Sequence, residues 1–276
     1  MKNDAVSGEF MDLAGERYYA IRNVDRMDPF FISVVSDVDH WLFVSSNGGL
    51  TAGRVSPDTA LFPYITDDKI HDSALHTGSK TVLRVELDGQ QHVWEPFNTE
   101  HCGRYEITRN LYKSLLANKL CFEEINHDLQ LAFRYTWATS EAYGFVRQCE
   151  LQNLTGPKAN IDVVDGLQNI LPAGTPAFAQ SNTSNLVDAY KWSELDEATG
   201  LAFLTLYSGI TDRAEPSESL KATTVFCLGL DDRKVLVSSE QLKTFQSGGA
   251  VEQEALRRGV RGAYLVNSRF ELAPEA

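Results

Sequence analysis

The two-residue alternation between Leu129 and Trp137 constrains this chain more than any other stretch. Leu129, Leu131, Phe133, Tyr135 and Trp137 point one way, and Gln130, Ala132, Arg134 and Thr136 the other. Such a period can only be a strand with one face buried. It recurs at Lys80 to Leu87, where Leu83, Val85 and Leu87 oppose Arg84 and Glu86. There Asp88-Gly89 supplies a hairpin turn and Gln90 to Glu95 returns. Further strands read at Arg17–Val24, Pro29–Ser36, Arg104–Ser114, Leu120–Ile125, Phe145–Leu154 and Ala159–Val164. Leu186–Trp192, Leu201–Tyr207, Ala222–Leu228, Val235–Ser238 and Ala263–Leu272 extend the series. Residues 1–15 read as an irregular start, and Asp165–Pro172 as a strand end entering a loop that reaches Ser184. Ala250–Arg258 reads as the one short helix, with Glu252 and Glu254 early, Arg257 and Arg258 late, and Gly259 as a stop. The expectation is an all-β chain, a large antiparallel sandwich of two sheets with one short helix near its C-terminal end. No linker divides residues 1–276.

The richest segment is His40–Lys69. Trp41-Leu42-Phe43-Val44 starts a strand, Asn47-Gly48-Gly49 breaks it as a hairpin turn, and the strand resumes to Arg54. Pro57 and Pro63 then stiffen a loop that carries Phe62, Tyr64, Asp67, Asp68 and Lys69. Aromatics interleaved with charges are what saccharide and partner surfaces use.

Composition narrows the function classes. A net charge of −13 argues against nucleic acid and anionic membranes as partners. With 276 residues, 43% of them hydrophobic, the chain can bury a large core. No long apolar run follows Met1-Lys2-Asn3-Asp4, so neither a signal peptide nor a membrane span is expected, and the cytoplasm is the default compartment. The sequons at Asn153 and Asn182 then read as chance. Cys102, Cys121, Cys149 and Cys227 lack metal-ligand spacing and read as reduced, buried fillers.

Signatures of catalysis are sparse. There is no Gly-x-Ser-x-Gly elbow and no Gly-Lys-Ser/Thr phosphate loop. His71 and His76 are the only close histidines, and five apart they share neither a helix face nor a strand face. No metal site and no cofactor is expected. Asp37-Val38-Asp39 reads as a solvated strand end. Glu95, Glu100, Glu106, Glu141 and Asp165 are the carboxylates from which a glycosidase pair would be drawn, and no spacing singles any out. Trp41, Tyr64, Trp94, Tyr105, Tyr135, Trp137, Tyr143, Tyr190 and Trp192 combine an apolar body with a polar handle, and core packing is the default for each.

Ile32-Ser33-Val34-Val35, Trp41 through Gly49, Arg54 and Leu61-Phe62-Pro63-Tyr64 resemble the N-terminal sandwich of the cellobiose-phosphorylase-like glycoside phosphorylases. Tyr143–Arg147, Leu151–Thr155 and Asp165–Ile170 resemble the same supersandwich, whose fold is that of galactose mutarotase. The resemblance implies a domain that precedes a helical barrel. The catalytic Asp and the phosphate contacts would lie in that barrel, and Ala273-Pro274-Glu275-Ala276 would open a linker to it. The domain would be non-catalytic, serve dimer contacts and lend the Asn47–Lys69 region to an oligo- or disaccharide site. Trp41, Asn47, Arg54, Tyr64, Asp67 and Asp68 are the candidate substrate contacts. The parent would be a glycoside phosphorylase or a hydrolase on the same plan. Two alternatives stand beside this. One is a self-contained mutarotase-like epimerase using His92 or His101 with Glu95 or Glu106. The other is a carbohydrate-binding or interaction module without catalysis. On the first reading, residues 56–69 should lack packing partners within the chain.

Overall fold

The computed structural model describes residues 5–101, 103–154, 156–209 and 220–275. In chain order the strands are β1 (Ser7–Leu13), β2 (Glu16–Arg22), β3 (Phe31–Val34), β4 (His40–Ser45), β5 (Leu50–Arg54) and β6 (Ala60–Phe62). There follow β7 (Gly78–Leu87), β8 (Gln90–Trp94), β9 (Ile107–Ser114), β10 (Lys119–Asn126), β11 (Leu131–Ser140), β12 (Gly144–Asn153) and β13 (Ala159–Ile170). Helices α1 (Ala177–Asn182) and α2 (Ser184–Tyr190) precede β14 (Lys191–Asp196), β15 (Leu201–Leu206), β16 (Ala222–Val225) and β17 (Lys234–Ser238). Helix α3 (Leu242–Gln246), β18 (Leu256–Arg258) and β19 (Gly262–Leu272) complete the order.

The protein is all-β, and among the described residues every strand pair is antiparallel. Four sheets form: β1-β2-β9-β10-β11-β12, β17-β19-β13-β7-β8, β16-β15-β14-β18 and β3-β4-β5-β6. One continuous core draws on all four, from Val44 and Phe62 through Leu83, Phe122 and Trp137 to Ile161, Leu204 and Val266. Side chains of the six- and five-stranded sheets meet at two places. Trp94 on β8 donates its indole N–H to Glu124 on β10 at 2.8 Å, and Arg147 on β12 pairs with Asp165 on β13 at 2.8 Å. The alternation that predicts β11 holds: Leu131, Phe133, Tyr135 and Trp137 are all buried. The Asp88-Gly89 turn is also present, with φ of 49° and 76°, left-handed at both positions as a tight hairpin requires.

Several expected elements differ. The irregular start is a strand, β1, in register with β2. Its apolar residues divide between two faces, so no one-sided period shows: Met11 and Leu13 pack under the sheet, whereas Phe10 stands on the other side against Tyr19. Leu186–Tyr190 is helical rather than extended, because Val187 joins Ala179 and Leu206 in a satellite cluster, with Tyr190 packed against it one turn later. The loop before it also contains α1. Ala250–Arg258 is not helical. Its backbone runs extended, with Glu254 N–H donating to the Val235 carbonyl at 2.9 Å and Leu195 N–H to the Ala255 carbonyl at 2.9 Å. The short helix near the C-terminal end is instead α3, stopped at Gly248, whose φ is 89°. The glutamate that suggested a helix start has another task. Buried Glu254 accepts the amides of Val237 and Ser238, each at 2.9 Å.

Among the cysteines, Cys121 is buried as expected, Cys227 is half-buried and Cys149 is exposed on the edge strand β12; Cys102 lies outside the described residues. The Asn153 sequon is closed to modification in the fold. The Asn153 amide is buried, donating to the Pro157 carbonyl at 2.8 Å and accepting from the Gly156 N–H at 3.1 Å. Thr155, its third member, lies outside the described residues.

Candidate functional site

The small sheet β3-β4-β5-β6 turns Ile32, Val34, Leu42, Val44, Leu50 and Ala52 into the core. Strand alternation therefore sends Phe31, Trp41 and Phe43 to the opposite face. Phe31 and Phe43 have ring centroids 5.1 Å apart. Phe43 and Trp41 stack at 5.9 Å with planes 29° apart. Trp41 meets Tyr64 at 5.4 Å and 89°. The result is a continuous run of four rings on the outer face. Phe31 and Tyr64 are exposed, and the two rings between them are half-buried.

Gly53 makes the run possible. It lies opposite Trp41 in the β4–β5 register, and a Cβ there would stand 2.4 Å from Trp41 Cζ2. The indole thus lies down across the space that a side chain on β5 would fill. The next residue, Arg54, lies opposite the buried His40 in that register, so alternation turns it away from the Trp41 face; it forms a two-pronged ion pair with Asp39, with donor–acceptor distances of 2.9 and 3.1 Å. Both side chains are partly exposed, so their outer edges stay open to solvent.

The loop after β5 is held within the chain, contrary to the expectation that it lacks partners. Asp58 accepts the N–H of Ala177 on α1 at 2.8 Å. Gln180 of α1 accepts the N–H of Tyr64 at 2.9 Å and donates to the Pro57 carbonyl at 3.2 Å. Phe62 is fully buried. These contacts fix the position of Tyr64 relative to Trp41.

The six expected contact residues separate into groups. Trp41 and Tyr64 touch, and Arg54 lies one residue beyond Gly53 at the same end of the hairpin. Asn47 is at the other end, in the β4–β5 turn, and has a structural role. Its amide donates to the His71 carbonyl at 2.7 Å and accepts from the Gly49 N–H at 3.3 Å. With Ser45 bonded to His71 Nδ1 at 2.7 Å, it fastens the 3-10 helix Asp68–Leu75 to the hairpin. Asp67 caps that helix through the Lys69 N–H at 3.1 Å, and Asp68 opens its first turn in solvent. Phe31, Phe43 and Gly53 are the residues that sequence reasoning did not select. The signal was the Trp41-x-Phe43 spacing, which places both rings on the face opposite Leu42 and Val44.

His40, at the start of β4, is buried, and neither ring nitrogen has a hydrogen-bond partner among the described residues. Its ring meets Phe145 edge-on at 5.0 Å. Burial, reinforced by the nearby Arg54 charge, lowers its pKa below the usual histidine value.

Two of the acid–base candidates are committed to buried or half-buried ion pairs. Glu95 is buried in an ion pair with Lys80 and accepts from Gln246 at 2.8 Å, so its carboxylate serves neither His92 nor His101. Asp165 is held by Arg147 and by the Thr81 hydroxyl, the latter at 2.5 Å. Glu100, Glu106 and Glu141 are exposed. A cavity lined by Asn47, Ser79, Lys80, Glu95 and Tyr135 measures about 30 Å³, room for a water or two but not for a pyranose. Among the described residues no group of three His, Cys, Asp or Glu could hold a metal ion. Nor is any helix among them long and apolar enough to cross a membrane. No protein-family model matches the chain, and no curated protein matches it.

Proposed function

We propose that this chain is a non-catalytic carbohydrate-binding and assembly domain of a carbohydrate-active enzyme, built on a galactose-mutarotase-like supersandwich. The observation that carries the reading is the outward run Phe31–Phe43–Trp41–Tyr64. Pyranoses present C–H faces that stack on aromatic rings of this kind. The commitment of Glu95 and Asp165 to buried or half-buried ion pairs favours binding over turnover. The parent activity would be that of a glycoside phosphorylase or glycoside hydrolase, in the cytoplasm, with the acid supplied by another domain. Phe10, Tyr19, Leu115 and Leu116 are exposed apolar side chains around β1, β2 and the β9–β10 turn, a surface suited to that domain or to a second copy.

The test is calorimetric titration of the protein with linear gluco-oligosaccharides, beside assays for hydrolysis and for phosphorolysis. Binding that disappears in Trp41→Ala, with no turnover in either assay, is the expected result. Turnover by this chain, or affinity unchanged in Trp41→Ala, refutes the reading.

A further inference from the structure

On the face of the five-stranded sheet turned away from the shared core, strand register aligns two rows of polar side chains. Gln91 opposes Glu86, Glu86 opposes Asn160, and Asn160 opposes Glu271. These four sit side by side across β8, β7, β13 and β19, about 4.8 Å from one strand to the next. The neighbouring row is Arg84, Asp162 and Arg269, again in register. Both rows line a cleft of about 440 Å³, bounded at one side by Gly248 after α3. That volume falls within the range of small-molecule sites.

The two rows differ in what their side chains do. The second row is locked. Asp162 accepts from Arg84, from Arg269 at 2.9 Å and from Asn267 at 2.7 Å. Arg84 also donates to the Gly249 carbonyl at 3.0 Å and lies 4.1 Å from the centre of the Phe245 ring. In the first row only Glu271 is engaged, in an exposed pair with Lys158 at 2.7 Å. Gln91, Glu86 and Asn160 are exposed, and their side chains have no hydrogen-bond or ion-pair partner among the described residues. A hydrogen-bonded charged row thus stands beside three uncommitted planar groups, an amide, a carboxylate and an amide.

Charge decides the ligand class. Arg84, Arg269 and the nearby Lys158 balance Glu86, Asp162 and Glu271, so the cleft carries no net charge to favour an ion. Alternating amide and carboxylate groups offer paired donors and acceptors, which suit neighbouring hydroxyls. We infer that this cleft is a second saccharide site, independent of the Trp41 run, which takes a neutral polyhydroxylated ring by its hydroxyl edge rather than by stacking.

The experiment uses the full chain, labelled for amide NMR and titrated with maltotriose and cellotriose, and in parallel with glucosamine and glucuronate as cationic and anionic probes. Expected are shifts of the Glu86, Asn160 and Glu271 amides with a neutral trisaccharide. They should weaken about tenfold in affinity in Asn160→Ala, as one lost hydrogen bond implies, and persist in Trp41→Ala. The Trp41 indole resonance reports the other site separately, so either site can fail without the other. Glu86→Gln is a second variant on the same exposed row and should alter affinity without altering the fold. Absence of shifts at those three amides, a stronger response to either charged probe, or shifts unaffected by both variants overturns the inference.

Discussion

Replacing Gly53 by alanine tests how the aromatic run is built. The added methyl would stand 2.4 Å from Trp41 Cζ2, 2.7 Å from the Ala60 Cα and 2.8 Å from the Thr59 carbonyl oxygen. The indole can rotate away, but the two backbone atoms of the loop can retreat only if β6 moves. Gly53 lies outside the left-handed region, so the cost is one of overpacking, about 1–3 kcal/mol. At about 2–4 °C per kcal/mol, a 2 kcal/mol loss lowers the melting temperature by about 4–8 °C. Gly89→Ala is the control. There a Cβ meets nothing within 4 Å and the cost is only that of a φ of 76°, about 1–2 kcal/mol. Calorimetry reads stability. Tryptophan emission in a Trp192→Phe background reads the indole, because Trp94 and Trp137 are fully buried and leave Trp41 as the partly exposed fluorophore. Gly53→Ala should red-shift the emission and abolish oligosaccharide binding, whereas Gly89→Ala should do neither. A Gly53→Ala protein with unchanged melting temperature and emission would refute the packing argument. Normal binding with a displaced indole would refute the link from packing to recognition.

His40 supplies a pH test. Its folded pKa lies below the ordinary 6.5, so below that pH the unfolded chain binds the proton first. Stability should therefore be full above about pH 6.5 and decline as pH falls through the window between the unfolded and folded values. In His40→Leu that part of the slope should vanish in melting curves taken from pH 7.5 to 5; an unchanged slope would show that another group titrates. Buried Glu123 accepts from Tyr112, from Asn110 at 2.6 Å and from Arg134 at 2.6 Å. Burial pushes its carboxyl up, and these donors more than offset that and hold it below the usual carboxylate range. Glu123→Ala leaves the buried Asn110 amide and Tyr112 hydroxyl without their acceptor, whereas Arg134 keeps Glu150 at 3.6 Å; it should cost about 1–3 kcal/mol for each orphaned donor by urea titration, and a loss under 1 kcal/mol would contradict the network. Glu254→Ala leaves the Val237 and Ser238 amides without their acceptor. It should cost about 1–3 kcal/mol for each, and amide exchange at those two positions should quicken ahead of the rest of β17.

What could be read from the chain alone follows from where the physics is local. Leu131 to Trp137 alternates because one face of β11 is buried and the other is not, and a single row of letters carries that. Asp88-Gly89 is equally local, since both residues tolerate a left-handed backbone. Ala250–Arg258 misled because the charge order of a helix also arises when one glutamate is drawn inward to cap a strand end, and only the partner segment, Val237–Ser238, reveals which applies. At the site, Trp41, Arg54 and Tyr64 stood out by residue type. Gly53 did not, because its role is to leave room for a ring that approaches from the opposite strand. The polar cleft was hidden for a related reason. Gln91, Glu86, Asn160 and Glu271 belong to four separate strands, and only register brings them into line.

Strand β13 lies between β7 and β19. One of its edges is satisfied by polypeptide made before it, the other by β19, made about a hundred residues later. At ordinary rates of synthesis, on the order of ten seconds separate the emergence of the two. Throughout that interval one edge of Ala159–Ile170 lacks its ladder partner while the ribosome is still working. Until β19 arrives, that edge is a template on which another strand could pair out of place.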